Sequence, residues 1–595
     1  MKKLVVLLLA VCLIVGAFSA CTQSGTDSST ASPSSTASAD SGSTESPASS
    51  STDDTGGSAE GVAVNPKGEF PIVNEPITLR FFYETSLTEE EQLDMEKNHM
   101  LEMIREKTNI NLEFTYLNYN PEGKQKMILS FASGDYPDGG MLSWNTMLSF
   151  ADVVQYGVGE GILLPINDQI DQYGDEINWV FEQRPGHKDL ITAPDGNIYG
   201  IPRFTECGHC MSYPKLWFNY GWLDALGLDE PTTTDELYDV LKAFKEQDPN
   251  GNGIADEIPL TGTINFSGAA EYYLMNSFID CPAFSQATDP RPFLIMEDGK
   301  VTFMANRDEY RQGLEYIKKL YDDGLLDPSN FTQNDESLKQ PCRGSEIPTV
   351  GGYTVDHMDM GVEFVNTEVS ENYHALPPVA GPDGVRYQPY NPGANQLAGF
   401  NFVLFDTCSN PDAAFRLADW FLSEDMLFNI HYGLEGVGWN PPADPNAKNI
   451  IGGPLKCVVD RLPSTATEAE KKERNLYQLG SLAPTADLYE RRAMWAPEAT
   501  EEALLTDYET RLEWETLKTT EYWPEVSLPR NIFMSAEDAI EFNELKLNIS
   551  QHVEKNTSMF ITGARSLTEW DTYVQELDQY GLERYVELYS QYYLK

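Results

Sequence analysis

The chain has 595 residues, 41% of them apolar, so it can bury more than one core and is no small disulfide-stapled domain. With 93 Asp plus Glu against 41 Lys plus Arg the net charge is −52, which repels phosphate backbones and anionic headgroups and argues against nucleic-acid binding. The 30 Tyr and 10 Trp exclude an acidic disordered chain, so the charge belongs on the surface of a folded body.

Lys2 and Lys3 precede an apolar run over residues 4–17, and Ser19 and Ala20 stand just ahead of Cys21, which predicts a secretory signal over 1–20. The apolar run is too short to span a bilayer. Small residues before a cysteine, then a Ser/Thr tract, resemble the lipobox of bacterial lipoproteins, with Phe18 where Leu is usual. The resemblance implies that Cys21 is acylated and becomes the mature N-terminus; the alternative is an ordinary secretory signal with Cys21 left in the tail. Residues 21–64 then form the lipidated cysteine and a Ser/Thr-rich tether with almost nothing to bury. About 40 residues of random coil average roughly 35 Å end to end.

Strand-like runs at 77–82 and 110–116 alternate with helical stretches, an α/β pattern. Residues 132–138 are a turn-rich segment leading toward Trp144, and 194–202 read as a hairpin whose last strand runs on through Arg203. Cys207-Gly208-His209-Cys210 could be a redox pair, three zinc ligands or neither; zinc needs a fourth ligand that no neighbouring residue in the sequence supplies.

Thr233 and Glu236 form a capping box, and Leu237, Val240, Leu241 and Phe244 recur at i, i+3, i+4 and i+7, which predicts a helix ending near Gln247. In the next loop Asp248, Asn250, Asn252, Asp256 and Glu257 place oxygens at positions 1, 3, 5, 9 and 10, with Gly253 at position 6 and the Ile254 carbonyl at position 7. Such hard oxygens suit a structural Ca²⁺. Pro259 stands where an EF-hand has its bidentate Glu, so Glu257 must close the shell, and Ile258-Pro259-Leu260 reads as an extended exit with no second helix.

Taken in order, the lipobox and tether, Ala132-Ser-Gly-Asp-Tyr-Pro-Asp138, Asp195-Gly-Asn-Ile-Tyr-Gly-Ile-Pro202, the stretch from Trp222 through the loop, Asn410-Pro-Asp-Ala-Ala-Phe415 and Gly433-Leu-Glu-Gly-Val-Gly-Trp439 resemble the extracellular solute-binding lipoproteins of ABC importers, of the sugar-binding type. The likeness covers about residues 70–595. It implies an α/β fold with the two-lobed architecture of type II periplasmic binding proteins, a hinge and a ligand cleft between the lobes. By that analogy lobe one takes residues 65–205 and 377–460, lobe two takes 206–376 with the calcium-like loop 248–257, and the C-terminal helical region 461–595 packs mainly on lobe two.

Sugars call for aromatic faces and planar polar groups. The cleft segments implied by the resemblance hold Trp144, Arg203, Glu206, Tyr353, Asp356 and Trp439. The expected protein is a monomer without catalytic residues, anchored in the membrane by lipid, that passes a solute, most simply an oligosaccharide, to the permease of an ABC transporter. Alternatives are a lipid-anchored glycoside hydrolase, a sensory binding lipoprotein and a peptide importer. No G-x-S-x-G, H-E-x-x-H or P-loop motif is present.

Overall fold

The computed structural model describes residues 62–85, 92, 95–143, 146–264, 268–282, 290–344, 347–391, 399–460, 462, 466–477 and 484–593. The signal, Cys21, the tether to residue 61 and Trp144 lie outside them.

Ile77–Thr85 buries Leu79, Phe81, Phe82 and Tyr83 almost without alternation, as a strand covered on both faces must. It pairs in parallel with Ile110–Asn118 and with Gly139–Met141. A parallel pair needs a crossover, supplied here by helix His99–Thr108. The Asn98 side chain caps its start by accepting from the amides of Met100 and Leu101, and Asn109 ends it in the left-handed region. Phe400–Leu404 returns antiparallel to Gly139–Met141, and Ile201–Pro202 closes the five-stranded sheet. Around this sheet lies one core, which includes Phe81, Phe402, Phe405, Phe415 and Phe421.

A second, antiparallel sheet sets Lys215–Asn219 between Gly352–Val355 and Tyr373–Leu376. Helices Thr234–Glu246 and Asp308–Asp322 supply its core with Leu237, Leu241, Phe244, Leu314 and Ile317. The C-terminal helices Ala536–Thr562, Trp570–Gln579 and Leu582–Tyr593 pack into the same core through Ile549, Val553, Trp570, Tyr573 and Tyr585. Tyr310 and Thr557 share a 2.8 Å hydrogen bond across that packing. Ala486 and Leu488, by contrast, belong to the first core. Among the described residues no helix is long and apolar enough to cross a membrane.

The hairpin expected over 194–202 is corrected. A tight turn closes between Ala193 and Asn197, where the Ala193 amide donates to the Asn197 carbonyl at 2.8 Å, but the following strand pairs with Phe400–Leu404 and not with the segment before the turn. Nor does that strand run through Arg203. It stops at Pro202, and Phe204–Thr205 starts a separate parallel ladder with Ala486–Asp487.

Candidate functional site

Arg203 thus sits where the chain leaves the first sheet. Its amide donates to Asn401 Oδ1 at 2.9 Å and its Nε to Thr485 Oγ1 at 3.3 Å. Close by, the buried Asp487 accepts from Thr205, Thr485 and Arg492 at 2.9, 2.9 and 3.2 Å. Burial opposes ionisation of Asp487, yet His431, Arg203 and Arg492 outweigh it and hold the carboxyl at about 2. Burial likewise pushes His431 down to about 4, against the pull of Asp487, so the ring is neutral at neutral pH.

Three predicted ligand residues turn inward. Glu206 is buried, both of its oxygens engage Arg184 (Oε1 at 2.6 Å from Nε), and Oε2 also accepts the Tyr489 amide at 2.9 Å. Its carboxylate is committed within the protein. Tyr353 has no exposed surface and its hydroxyl donates to the Met358 carbonyl at 2.8 Å, because strand Gly352–Val355 is covered on both faces. Trp439 is 9% exposed, packs on Phe428 and donates from Nε1 to Asn429 at 3.2 Å, which makes it largely a core residue. Asp356 pairs with its neighbour His357.

Next to the crossing segment the structure assembles a different set. A small cavity of about 20 Å³ is lined by Gly208, His209, Tyr489, Arg492, Trp495, Glu509 and Glu513. Tyr489, Arg492 and Trp495 follow directly on Ala486–Asp487, which is paired to the crossing strand and seated on the first core. Glu509 and Glu513 come from helix Tyr508–Leu517, whose Leu512 packs with Trp217, Tyr353 and Tyr373 of the second sheet. The cavity therefore has one wall that continues from the strand paired with Phe204–Thr205 and one wall packed on the second sheet. Glu513 Oε1 is buried there without a hydrogen-bond partner. Gly208 makes room for it, since a Cβ at that position would stand 2.3 Å from Glu513 Oε1. The Trp495 ring lies 5.3 Å from both the His431 ring and the Arg492 guanidinium.

Helix Tyr508–Leu517 is fixed by the fully buried Glu515. Its Oε1 lies 2.8 Å from His374 Nδ1 and 2.9 Å from Arg511 Nε, and its Oε2 accepts from the Ala375 amide at 3.0 Å and from Lys518 at 2.8 Å. Burial resists its ionisation, but His374, Lys518 and Arg511 prevail and hold it at about 2.

The residues of this cavity carry no periodic or spacing signal. In retrospect the one hint was Tyr489-Glu-Arg-Arg-Ala-Met-Trp495, two arginines between aromatics in a strongly acidic chain.

The loop at 248–257 curls around its own oxygens. The amides of Asn252 and Gly253 donate to Asp248 at 3.1 and 3.0 Å, and that of Ile254 donates to Asn252 at 2.6 Å. Asp248, Gly251 and Gly253 all take positive φ (48°, 67° and 74°), a strain that only the two glycines escape. Glu257 Oε1 is buried without a partner, and burial together with the charges of Asp256 and Asp248 pushes its carboxyl up. Oxygens of three acids and two asparagines within one short loop are the donor set a hard divalent cation takes. The extended exit is present, with Ile258 bridging Val350 and Leu260 bridging Leu326.

Cys207 and Cys210 form a disulfide, while Cys281, Cys342, Cys408 and Cys457 are buried free thiols. His209 Nε2 lies 3.1 Å from Glu509 Oε2. Burial holds the His209 ring below the usual histidine range although Glu509 opposes it.

Residues 100–426 match the family described as bacterial extracellular solute-binding protein. The chain belongs to that family. Among its relatives is the fructooligosaccharide ABC transporter substrate-binding protein FusA of Streptococcus pneumoniae, 28% identical over 533 residues that cover 88% of this chain and 91% of FusA. The structure of a FusA EF-hand mutant in complex with fructo-nystose superposes with a TM-score of 0.63 at 25% identity, over 87% of this chain and 99% of that one. An extracellular solute-binding protein from Bifidobacterium longum subsp. infantis superposes with a TM-score of 0.68 at 21% identity, over 87% and 98% of the two chains. This solute-binding protein accordingly has the two-lobed α/β fold, with the two sheets and cores described above.

Proposed function

We propose that this solute-binding protein captures an oligosaccharide between its lobes and delivers it, chemically unchanged, to an ABC permease. The observation that carries the reading is the cavity walled by segments packed against the two sheets, where Arg492 and the buried, unpartnered Oε1 of Glu513 stand beside Gly208. Trp495, 6% exposed and packed with Phe428 and Trp439, backs the site, while the carboxylate and guanidinium offer paired hydrogen bonds to hydroxyls. Likeness to FusA, whose name and complexes are those of a fructooligosaccharide binder, supports that ligand class. A ligand touching both walls favours the closed form, and closure is the signal the permease reads.

In this reading lobe one takes 65–205 and 377–460, lobe two takes 206–376, and 461–595 packs mainly on lobe two. Arg203 and Asp356 flank the cleft; Trp144, expected there too, falls outside the described residues. The chain is secreted by its signal and held outside the membrane by acylated Cys21. A structural Ca²⁺ is held by Asp248, Asn250, Asn252, Asp256, Glu257 and the Ile254 carbonyl; hard oxygen donors and a net negative shell suit that ion, and the orphaned Glu257 oxygen is a ligand in waiting.

Isothermal titration of the purified protein against fructooligosaccharides, other glycans and peptides tests the proposal, with the ligand recovered and checked for cleavage. Intact oligosaccharide bound by the wild type and lost in Trp495→Ala supports it. Breakdown products, or a peptide as the only ligand, overturn it.

A further inference from the structure

We infer that Cys207, Cys210, His209 and Glu509 form a redox-gated binding site for a thiophilic divalent ion such as Zn²⁺. Apart from Glu509, the donor atoms of this set lie within 4.8 Å of one another, the one Cys/His/Asp/Glu cluster of this kind among the described residues. The fourth ligand absent from the local sequence comes from helix Tyr508–Leu517. Cys207 Sγ stands 3.4 Å from His209 Nε2, and Glu509 Oε2 stands 3.1 Å from the same nitrogen. Zinc bonds of about 2.0 Å to nitrogen and oxygen and about 2.3 Å to sulfur set tetrahedral edges of roughly 3.3 to 3.8 Å between donors. Those two edges already approach these lengths, while Cys210 Sγ lies 3.8 Å from the other ring nitrogen, Nδ1, and has to swing toward Nε2 once the disulfide opens. Cys207 and His209 are buried and Cys210 is half-buried, so the ion would be shielded on one side and reached from the cavity that His209 and Glu509 line.

The disulfide is the closed state of this site. A dithiol opens it through a mixed disulfide on the more accessible Cys210 sulfur, and is itself oxidised to a disulfide as the protein takes up two electrons and two protons. On metal binding the two thiols release both protons to solvent, and the sulfurs part to separate corners of the tetrahedron. The calcium-like loop, built of oxygens alone, does not compete for a thiophilic ion.

The test is anaerobic titration of the Ca²⁺-saturated protein with Co²⁺, before and after reduction by a phosphine that is then removed. The reduced wild type should bind one equivalent, with a thiolate charge-transfer band and the visible bands of a tetrahedral ion. The oxidised wild type, the same folded chain, should show neither. Glu509→Gln should weaken binding roughly ten- to a hundred-fold, as loss of a supporting ligand does. The site is overturned if reduced wild type shows no band, if the band survives in the Cys207→Ser, Cys210→Ser double variant, or if Glu509→Gln binds as tightly as wild type.

Discussion

The loop at 248–257 and the cavity beside the crossing segment are both collections of acids and polar groups, yet they are built in opposite ways. The loop draws its oxygens from ten consecutive residues, and its amides fold onto its own side chains. The cavity gathers Gly208 and His209 with residues near 490 and 510, and no two of its walls are local in sequence. A site dictated by backbone turns can be read from spacing. A site dictated by the approach of two cores exists only once both have formed, and it inherits their stability.

The largest expected effect sharpens that dependence. Glu515 ties the helix that carries Glu509 and Glu513 to strand Tyr373–Leu376, and four groups converge on it. Glu515→Ala leaves Arg511 and Lys518 without their common partner and should cost about 3 to 5 kcal/mol in chemical denaturation. The same residue predicts acid sensitivity. Its folded value is depressed from 4.5 to about 2, so its contribution is present in full above 4.5 and drains away as pH falls from there toward 2. Wild type should lose stability steeply across that window, and Glu515→Gln should flatten the curve. An unchanged acid profile in the variant would remove Glu515 as the anchor.

Next in size is the cavity itself. Trp495→Ala removes the ring that backs Arg492 and should cost about 2 to 4 kcal/mol of ligand affinity in calorimetry, the range of an interface hot spot, while its melting temperature still responds to chelation. Glu513→Gln should weaken binding less and leave the fold intact. If Trp495→Ala instead abolished the response to chelation, the two sites would not be independent.

Chelation comes third. With Ca²⁺ at 100 times its dissociation constant the loop should contribute about 2.7 kcal/mol, so a chelator should lower the melting temperature, and Asp248→Ala should remove that difference without touching oligosaccharide affinity. A melting curve unmoved by chelation would return the loop to an ordinary Asx-rich turn.

The same contrast explains what could be read in advance. The strands at Ile77 and Ile110, the Thr233 capping box and the extended exit at Ile258 all rest on short-range rules, and each stands in the structure. The pairing of Glu206 is not legible in the sequence, because its partner Arg184 arrives from a separate helical turn and nothing in spacing announces a bidentate pair. The burial of Tyr353 is not legible either, because a strand buried on both faces has no polar side to set its register. Trp495 and Glu513 carry no sequence signal, because a tertiary approach, with Gly208 making room for Glu513, is what brings them together.

The smallest prediction tests whether the loop is as local as it looks. Thr233 caps helix Thr234–Glu246, with its hydroxyl accepting the Glu236 amide at 3.2 Å while Glu236 reaches back to the Thr233 amide. Thr233→Ala should cost about 1 kcal/mol, the usual worth of such a cap. The helix has 13 residues, so the cap lies roughly 20 Å from Asp248 along the axis, and the helix between is held by Leu237, Leu241 and Phe244 in the second core. The variant should therefore melt lower both with and without Ca²⁺, by the same interval, leaving the calcium increment untouched. A shrunken increment would mean that the loop borrows its geometry from the whole helix, which would make it a site of the cavity's kind.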